Sequence, residues 1–578
     1  MHKLKQEHIY FILLLLIIFC VFQYGGRKIC GFSLYPDEFG YWASAAKVIG
    51  YEWSEVASLG SYYSFGYSLL LAPLLKLFRE GIAAYRAAIA VNMILMCMGA
   101  GLLYKSGSRL FPGLDRGKRI LISGIAVLYP SWILYMQMTM AEALLMFLFT
   151  AAVYFFICLI QRPQLKTALF LSIVLIYSYS VHMRTVGMVI ACIMVLLMWG
   201  IANPAMKKHI LFMLGAAAIA GLIVVFLKRN VILKVFSQAD SQTLAANDYT
   251  SQLAKIKDIF TFSGMIHFLK EIAGKIFYLG MATFGVFYWA MGWCIKETVQ
   301  LGKKIARRQA EQCSVSNWTA VFLLLAVIGE VLICSIFMHN SLLIDCLVYG
   351  RYNEFLVPVL IMAGMAAMIK SRWTMVVSLL MGAWSGIMLL PVFSAIEKGN
   401  MERIRGYFIA GISSPLKEEN ADPYIFFLKV WLVGLAGMVL IAGIILVIRK
   451  YRKVSWILGM IMALEVGLGV QASGKYVYHA NRFNYQDTII SEKIMESGEK
   501  GIRVTYLEEG ITPYVDFLQM QLLDIPIHVI RAEELTQESE LGDFCIVSSQ
   551  SQRQGEMEQR YNRRIAANLN ILYYNEPE

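Results

Sequence analysis

The chain is poor in charge. Of its 578 residues only 16% are Asp, Glu, Lys or Arg, while 58% are hydrophobic. Soluble domains carry about 25% charged and about 45–50% apolar residues, and a single soluble core stops growing near ~300 residues. No soluble fold hides this much apolar surface. The shortage excludes an ordinary cytosolic enzyme, a disordered chain and a fibrous repeat. Other absences narrow the chemistry. There is no CxxC pair and no Cys/His cluster at zinc spacing, so no metal site is expected. There is no glycine-rich phosphate loop and no nucleophile elbow, and no internal repeat of the inverted-transporter kind. Most of the ten cysteines, Cys97, Cys158, Cys192 and Cys334 among them, lie in apolar runs, where a thiol packs as a small hydrophobe.

What is present is a long apolar body with a polar tail. Mean hydropathy is +0.58, and the chain uses lipid as solvent for most of its length. Net charge is +12, unevenly spread: residues 475–578 hold 10 Lys/Arg against 17 Asp/Glu, a charge of −7, leaving +19 on residues 1–474. A helix needs about 20 apolar residues to span the hydrocarbon. Candidate spans fall at 9–24, 82–104, 119–136, 139–160, 167–183, 186–202, 209–227, 275–295, 318–338, 353–369, 373–393, 425–448 and 454–472. The basic clusters Lys3/Lys5, Lys105–Arg119, Arg162/Lys166, Lys207/Lys208, Lys296–Arg308, Lys370/Arg372 and Arg449–Lys453 then fall on one face. The positive-inside rule makes that face cytoplasmic, with the N-terminus inside and the tail outside. The basic excess thus points to a bilayer and not to nucleic acid. Span 9–24 lacks a small-residue cleavage site and reads as an anchor. The run Tyr62–Phe78 stays on the outer face, because a crossing there would invert every later cluster. The expected fold is a mostly α, polytopic membrane domain over 1–474, with outer loops at 25–81 and 228–274. A small extracytoplasmic α/β domain follows over 475–578. In it 502–507, 527–530 and 544–548 read as strands, and 513–523 and 556–568 as helices.

Four polar constellations gather at the outer face. The stretch Tyr35–Gly50, YPDEFGYWASAAKVIG, sets Asp37 and Glu38 behind Pro36. This suits a helix start at the interface, and equally a base that takes a proton from an attacking hydroxyl. Glu142 lies about one turn inside its span, where a carboxylate is costly and marks either a functional site or a hydrogen bond to a neighbouring helix. Glu330 and Glu465 also lie in apolar runs but have no polar company in sequence. Arg184 in SVHMRTVG, and Arg351 with Tyr352 in YGRYNE, either snorkel to headgroups or bind a phosphate through the guanidinium fork and the phenol.

The order of these motifs resembles the C-type membrane glycosyltransferases that use a polyprenyl-phosphate sugar, a class that includes protein O-mannosyltransferases and the lipid A aminoarabinose transferase. Pro36-Asp37-Glu38 is similar to their acidic motif after the first span, and SFGYSLLLAPLLKLF to the interfacial helix that follows it. Tyr129-Pro130-Ser131 leading to Glu142 resembles their third and fourth spans. Met183-Arg184-Thr185-Val186-Gly187 resembles their R-P/T-x-G turn, and the acidic tail resembles the extracytoplasmic domain of some members. The likeness is carried by residues 1–200, is patchy at 345–360, and is architectural beyond.

The resemblance implies an enzyme that moves one sugar from a polyprenyl-phosphate donor to an acceptor hydroxyl at the outer face of the cell membrane, with inversion. Asp37 is implied as base, with Glu38 or Glu142 in support, and Arg184, Arg351 and Tyr352 as ligands of the donor phosphate. The acceptor, whether glycan, lipid or protein, is not written in the sequence. No cofactor is implied with certainty, and the metal dependence of oligosaccharyltransferase relatives has no supporting motif. The alternatives are a flippase or transporter of lipid-linked glycans, expected to place ionisable groups near mid-membrane, and a polymerase or ligase of such glycans.

Overall fold

The computed structural model of the chain describes residues 2–33, 37–60, 63–236, 252–339, 344–396, 411, 422–497, 501–510, 515–536 and 540–576. Tyr35, Pro36 and Tyr62, the middle of the expected 228–274 loop and most of 397–421 lie outside them.

Helices dominate. In chain order they are α1 His2–Gly26, α2 Asp37–Ile49, α3 Ser54–Ala57, α4 Ser68–Leu77, α5 Gly81–Leu110, α6 Arg116–Val127, α7 Pro130–Met136, α8 Ala141–Gln161, α9 Leu165–Val181, α10 Val186–Ala202 and α11 Lys207–Asn230. There follow α12 Gln252–Ile259, α13 Phe262–Ala282, α14 Val286–Ala306, α15 Val315–Met338, α16 Ile344–Leu347, α17 Val357–Lys370, α18 Thr374–Ile396, α19 Pro423–Lys450, α20 Leu458–Ser473, α21 His479–Asn484 and α22 Thr488–Glu496. Among the described residues nine helices are long and apolar enough to cross a membrane, or eleven if each of two bent pairs is one span.

The thirteen expected spans differ from these in instructive ways. The run 119–136 is α6 and α7, bent by 60°. Pro130 opens α7, lacking the N–H and the room to continue α6. The run 275–295 straddles a break: α13 and α14 meet at 111°, around Phe284 (φ 46°) and Gly285 (φ 76°). A Cβ at Gly285 would come 2.6 Å from Met438, so both the left-handed backbone and the packing require glycine. Two expected spans are too short to qualify. Helix α9 has 17 residues and α17 has 14, the latter about 21 Å against ~30 Å of hydrocarbon. Helix α9 ends just before the Arg184 turn and α17 begins just after Tyr352, so the helical ladder stops where these motifs lie. Helix α4 has only ten residues, too few to cross.

Beyond residue 474 the helical rod runs on to α22, and the sheet starts at β1 Val504–Glu508. It continues with α23 Val515–Leu522, β2 Ile527–Arg531, β3 Phe544–Ser548, α24 Gln554–Arg560, β4 Arg563–Ala566 and β5 Asn570–Tyr574. The order is β2-β1-β3-β5-β4, with β1 parallel to β2 and β3, and β5 antiparallel to β3 and β4. The helix expected over 556–568 therefore stops at Arg560. Arg563–Ala566 has helix-forming residues, but pairing with buried β5 overrides that local preference.

This C-terminal part grips the loop after α1. Asn481 Oδ1 accepts from the backbone N–H of Cys30 and of Gly31, each at 2.8 Å, and its Nδ2 donates to Ser33 Oγ at 2.9 Å. Trp53 Nε1 donates to the Leu523 carbonyl at 2.6 Å, and Val529 N–H donates to Glu55 Oε2 at 2.7 Å. The Gly31 Cα approaches so closely that a Cβ would meet Phe517 at 2.6 Å. The loop that opens onto α2 is thus held from two sides.

Asn481→Ala leaves two buried N–H groups without an acceptor. A loss of about 2 kcal/mol is expected, read as a lowered melting temperature with faster hydrogen exchange at Cys30 and Gly31.

Candidate active site

Both acidic motifs sit at helix starts. Asp37 and Glu38 occupy the first turn of α2 and Glu142 the first turn of α8, where the helix dipole favours negative charge. The two arginines sit outside regular α-helix. Arg184 lies in a one-turn 3₁₀ segment, Met183–Thr185, whose preceding His182 accepts from the Arg184 N–H at 3.3 Å. Arg351 lies in a turn closed by Asn353 N–H to Gly350 O at 2.7 Å. Gly350 packs against the Tyr278 ring, and a Cβ there would lie 1.9 Å from it.

These four charges form one chain of contacts. Arg351 Nη1 is 2.6 Å from Asp37 Oδ2 and its Nε is 2.9 Å from Glu142 Oε1. Arg184 Nη2 reaches the same Glu142 oxygen at 3.1 Å. Two carboxylates and two guanidiniums balance, which allows them to be buried together. Glu142 and Arg184 are fully enclosed, whereas the Asp37 side chain is 21% exposed, so the cluster opens to its surroundings through Asp37. Burial opposes the charge on Arg351, yet Glu142 and Asp37 hold its guanidinium well above the usual arginine value. Glu142 Oε2 and the Nε and Nη1 of Arg184 are buried with no hydrogen-bond partner among the described residues. Tyr352 meets the cluster through an arginine. It lies under Arg184, with the guanidinium 4.5 Å from the ring centre, and burial pushes its phenol up to about 12 against the pull of the two arginines.

Glu38 faces elsewhere. It is fully buried and accepts from Ser33 N–H at 2.7 Å, Tyr85 OH at 2.5 Å, Thr139 N–H at 2.8 Å and Thr139 Oγ1 at 2.7 Å. These bonds fasten the start of α2 to α5 and to the α7–α8 corner. Five of the six residues singled out in sequence therefore meet in one place, while Glu38 anchors the same helix from its other side. Of the remaining intramembrane carboxylates, Glu330 accepts from the Met188 N–H at 3.1 Å.

The structure adds residues that sequence reasoning did not single out. Tyr63 donates to Asp37 Oδ1 at 2.5 Å. Glu354, in the same YGRYNE motif as Arg351, is buried and accepts from Ser131 at 2.5 Å, from Tyr129 at 3.4 Å and from Tyr278. The one signal for it was adjacency to Arg351, because its partners come from 223, 225 and 76 positions away. Among the described residues no group of three or more His, Cys, Asp or Glu is placed to hold a metal ion.

An apolar cavity of about 600 Å³ lies between α13, α14, α15 and α18, lined by Ile276, Phe287, Met291, Val331, Leu380 and Trp384. Helix α15 separates it from the charged cluster: Val327 and Val331 face the cavity, while Cys334, Met338 and Phe337 pack on Tyr349 and Tyr352.

No protein-family model and no curated protein matches the sequence. Solved structures do match. ArnT from Cupriavidus metallidurans bound to undecaprenyl phosphate aligns at a TM-score of 0.52 with 13% identity, over 98% of this chain and 99% of ArnT. Its apo state gives 0.52 and 13% over the whole of both chains. The oligosaccharyltransferase AglB from Archaeoglobus fulgidus, in complex with an inhibitory peptide and a dolichol-phosphate, aligns at 0.42 with 11% identity, over 97% of this chain and 70% of AglB. The chain has the fold of ArnT, which is the C-type membrane glycosyltransferase fold that the motif order implied.

The ion cluster behaves as a unit in energetic terms. Arg351→Met is expected to destabilise the protein by about 3–5 kcal/mol, because it leaves Asp37 and Glu142 short of a buried partner. Adding Glu142→Gln recovers part of that loss. A double-mutant cycle on thermal unfolding should show coupling above about 1 kcal/mol.

Proposed function

We propose that this protein is a glycosyltransferase that takes a single sugar from a polyprenyl-phosphate donor and places it on an acceptor hydroxyl at the outer face of the membrane. The observation that carries the reading is the neutral Asp37–Arg351–Glu142–Arg184 cluster, of which Asp37 is the most exposed member. The ArnT fold, solved with undecaprenyl phosphate, supports it. So does the apolar cavity one helix away, whose chemistry suits an isoprenoid tail.

In the reaction the acceptor oxygen attacks the anomeric carbon from the side opposite the phosphate. The new glycosidic C–O bond forms as the bond from carbon to phosphate oxygen breaks. The bonding pair leaves on the phosphate, and the hydroxyl proton passes to Asp37. Inversion follows from that geometry. The departing phosphate gains negative charge. Arg184, whose Nε and Nη1 have no hydrogen-bond partner among the described residues, and Arg351 stabilise that charge, a large effect where water is scarce.

Arg351 links the two halves of the step. In the free protein it pairs with Asp37 at 2.6 Å. A donor phosphate that draws on Arg351 loosens that pair and leaves the Asp37 oxygen open to the acceptor hydroxyl. Glu142 holds both arginines in position, and Tyr63 orients Asp37. Glu38 serves this scheme as the fastening of α2.

The test is incubation of purified protein with polyprenyl-phosphate sugars, following release of free polyprenyl phosphate. Asp37→Asn is expected to lower turnover about 10²–10⁴-fold while donor affinity is retained. Arg351→Ala should weaken donor binding as well. Undiminished transfer by Asp37→Asn removes Asp37 as the base.

A further inference from the structure

On the Lys/Arg-rich face, away from the charged cluster, a cavity of about 480 Å³ opens between the start of α6, the end of α17 and the end of α19. Lys118, Lys370 and Arg449 line it, one from each helix, above apolar Leu114 and Ile448. Asp115 is the sole carboxylate of the lining, and it is already engaged. Its Oδ1 caps α6 by accepting the Lys118 N–H at 2.9 Å, and its Oδ2 pairs with Lys118 Nζ at 3.0 Å. Lys370 Nζ lies over the Phe111 ring at 5.2 Å. Arg449 donates through Nη1 to the Ser371 carbonyl, which ties α19 to the end of α17. Both Lys370 and Arg449 are exposed.

The positive-inside rule accounts for cations on this face, but it calls only for solvated loops. It does not call for three cations, far apart in sequence, meeting over an apolar floor. A second cavity of about 630 Å³ on the same face shows the contrast: its lining includes Arg109 and Arg162 with Gln161, Gln164 and Thr167. It has no aliphatic floor, and Arg109 is stacked 4.8 Å from the Tyr154 ring.

We propose that the cavity between α6, α17 and α19 binds the phosphate of an anionic membrane-lipid headgroup. Lys370 and Arg449 face the phosphate oxygens, and the glycerol end lies over Leu114 and Ile448. Basic pockets between spanning helices recognise such headgroups by this combination of charge and apolar contact.

The experiment is native mass spectrometry and thermal unfolding of the full chain in detergent. It is titrated in separate arms with phosphatidylglycerol, cardiolipin, phosphatidylcholine and inorganic phosphate. Phosphatidylglycerol and cardiolipin should give adducts and raise the melting temperature, with little effect from the other two. Lys370→Gln and Arg449→Gln should each weaken the anionic-lipid adduct about fivefold. Arg449→Lys, which keeps the charge, should retain most of it, and Arg162→Gln in the second cavity should leave it unchanged. If Arg449→Gln fails to fold, Lys370→Glu at an exposed position carries the test, with loss of the adduct expected. Equal binding of phosphatidylcholine, equal loss with Arg162→Gln, or full protection by inorganic phosphate alone would overturn the proposal.

Discussion

One guanidinium holds this structure's polar centre together. Arg351 contacts Asp37 and Glu142, from positions 314 and 209 residues away, and so brings the start of α2, the start of α8 and the turn before α17 to a common point. A charge buried in a membrane protein is tolerable only with a partner. Glu142 needs the arginines, and the arginines need Glu142 and Asp37. No member can leave without stranding another.

That requirement explains where the helices are interrupted. The carboxylates reach the pocket from the first turns of α2 and α8, but the two arginines reach it from outside regular α-helix. The Met183–Thr185 turn and the 349–356 segment give up α-helix to do so, and they shorten α9 and α17. The freed backbone groups find partners locally: Arg184 N–H donates to His182, and Asn353 and Glu354 N–H both donate to Gly350 O. The C-terminal sheet and the α20–α22 rod hold Cys30, Gly31, Trp53 and Glu55, on either side of α2, through Asn481, Leu523 and Val529. Glu38 completes the bracing from beneath.

Much of this was legible in residues and spacing. The membrane body, the acidic tail, three of the tail's strands and the four polar motifs all follow from apolar run length, charge and period. The tail's last hairpin did not, because the residues of Arg563–Ala566 favour a helix until β5 lies beside them. Nor did the break at Phe284–Gly285, since a continuous apolar run carries no mark of direction. Glu38 and Glu142 looked alike in sequence, each an acidic residue at a helix start. Glu38 is saturated by Tyr85 and Thr139, whereas Glu142 is shared by two arginines, and nothing local distinguishes those fates. Tyr63 and Tyr278 were invisible for the same reason: a hydroxyl becomes part of a site only through what it reaches.

Composition and hydropathy by themselves determined that the chain is a polytopic membrane protein. The cost of burying charge and the length of the bilayer act on any sequence of this kind. Tertiary structure alone decided which carboxylate meets which arginine, which one stays partly open, and which merely fastens a helix. Those outcomes depend on contacts between segments hundreds of residues apart, for which the chain's local preferences hold no information.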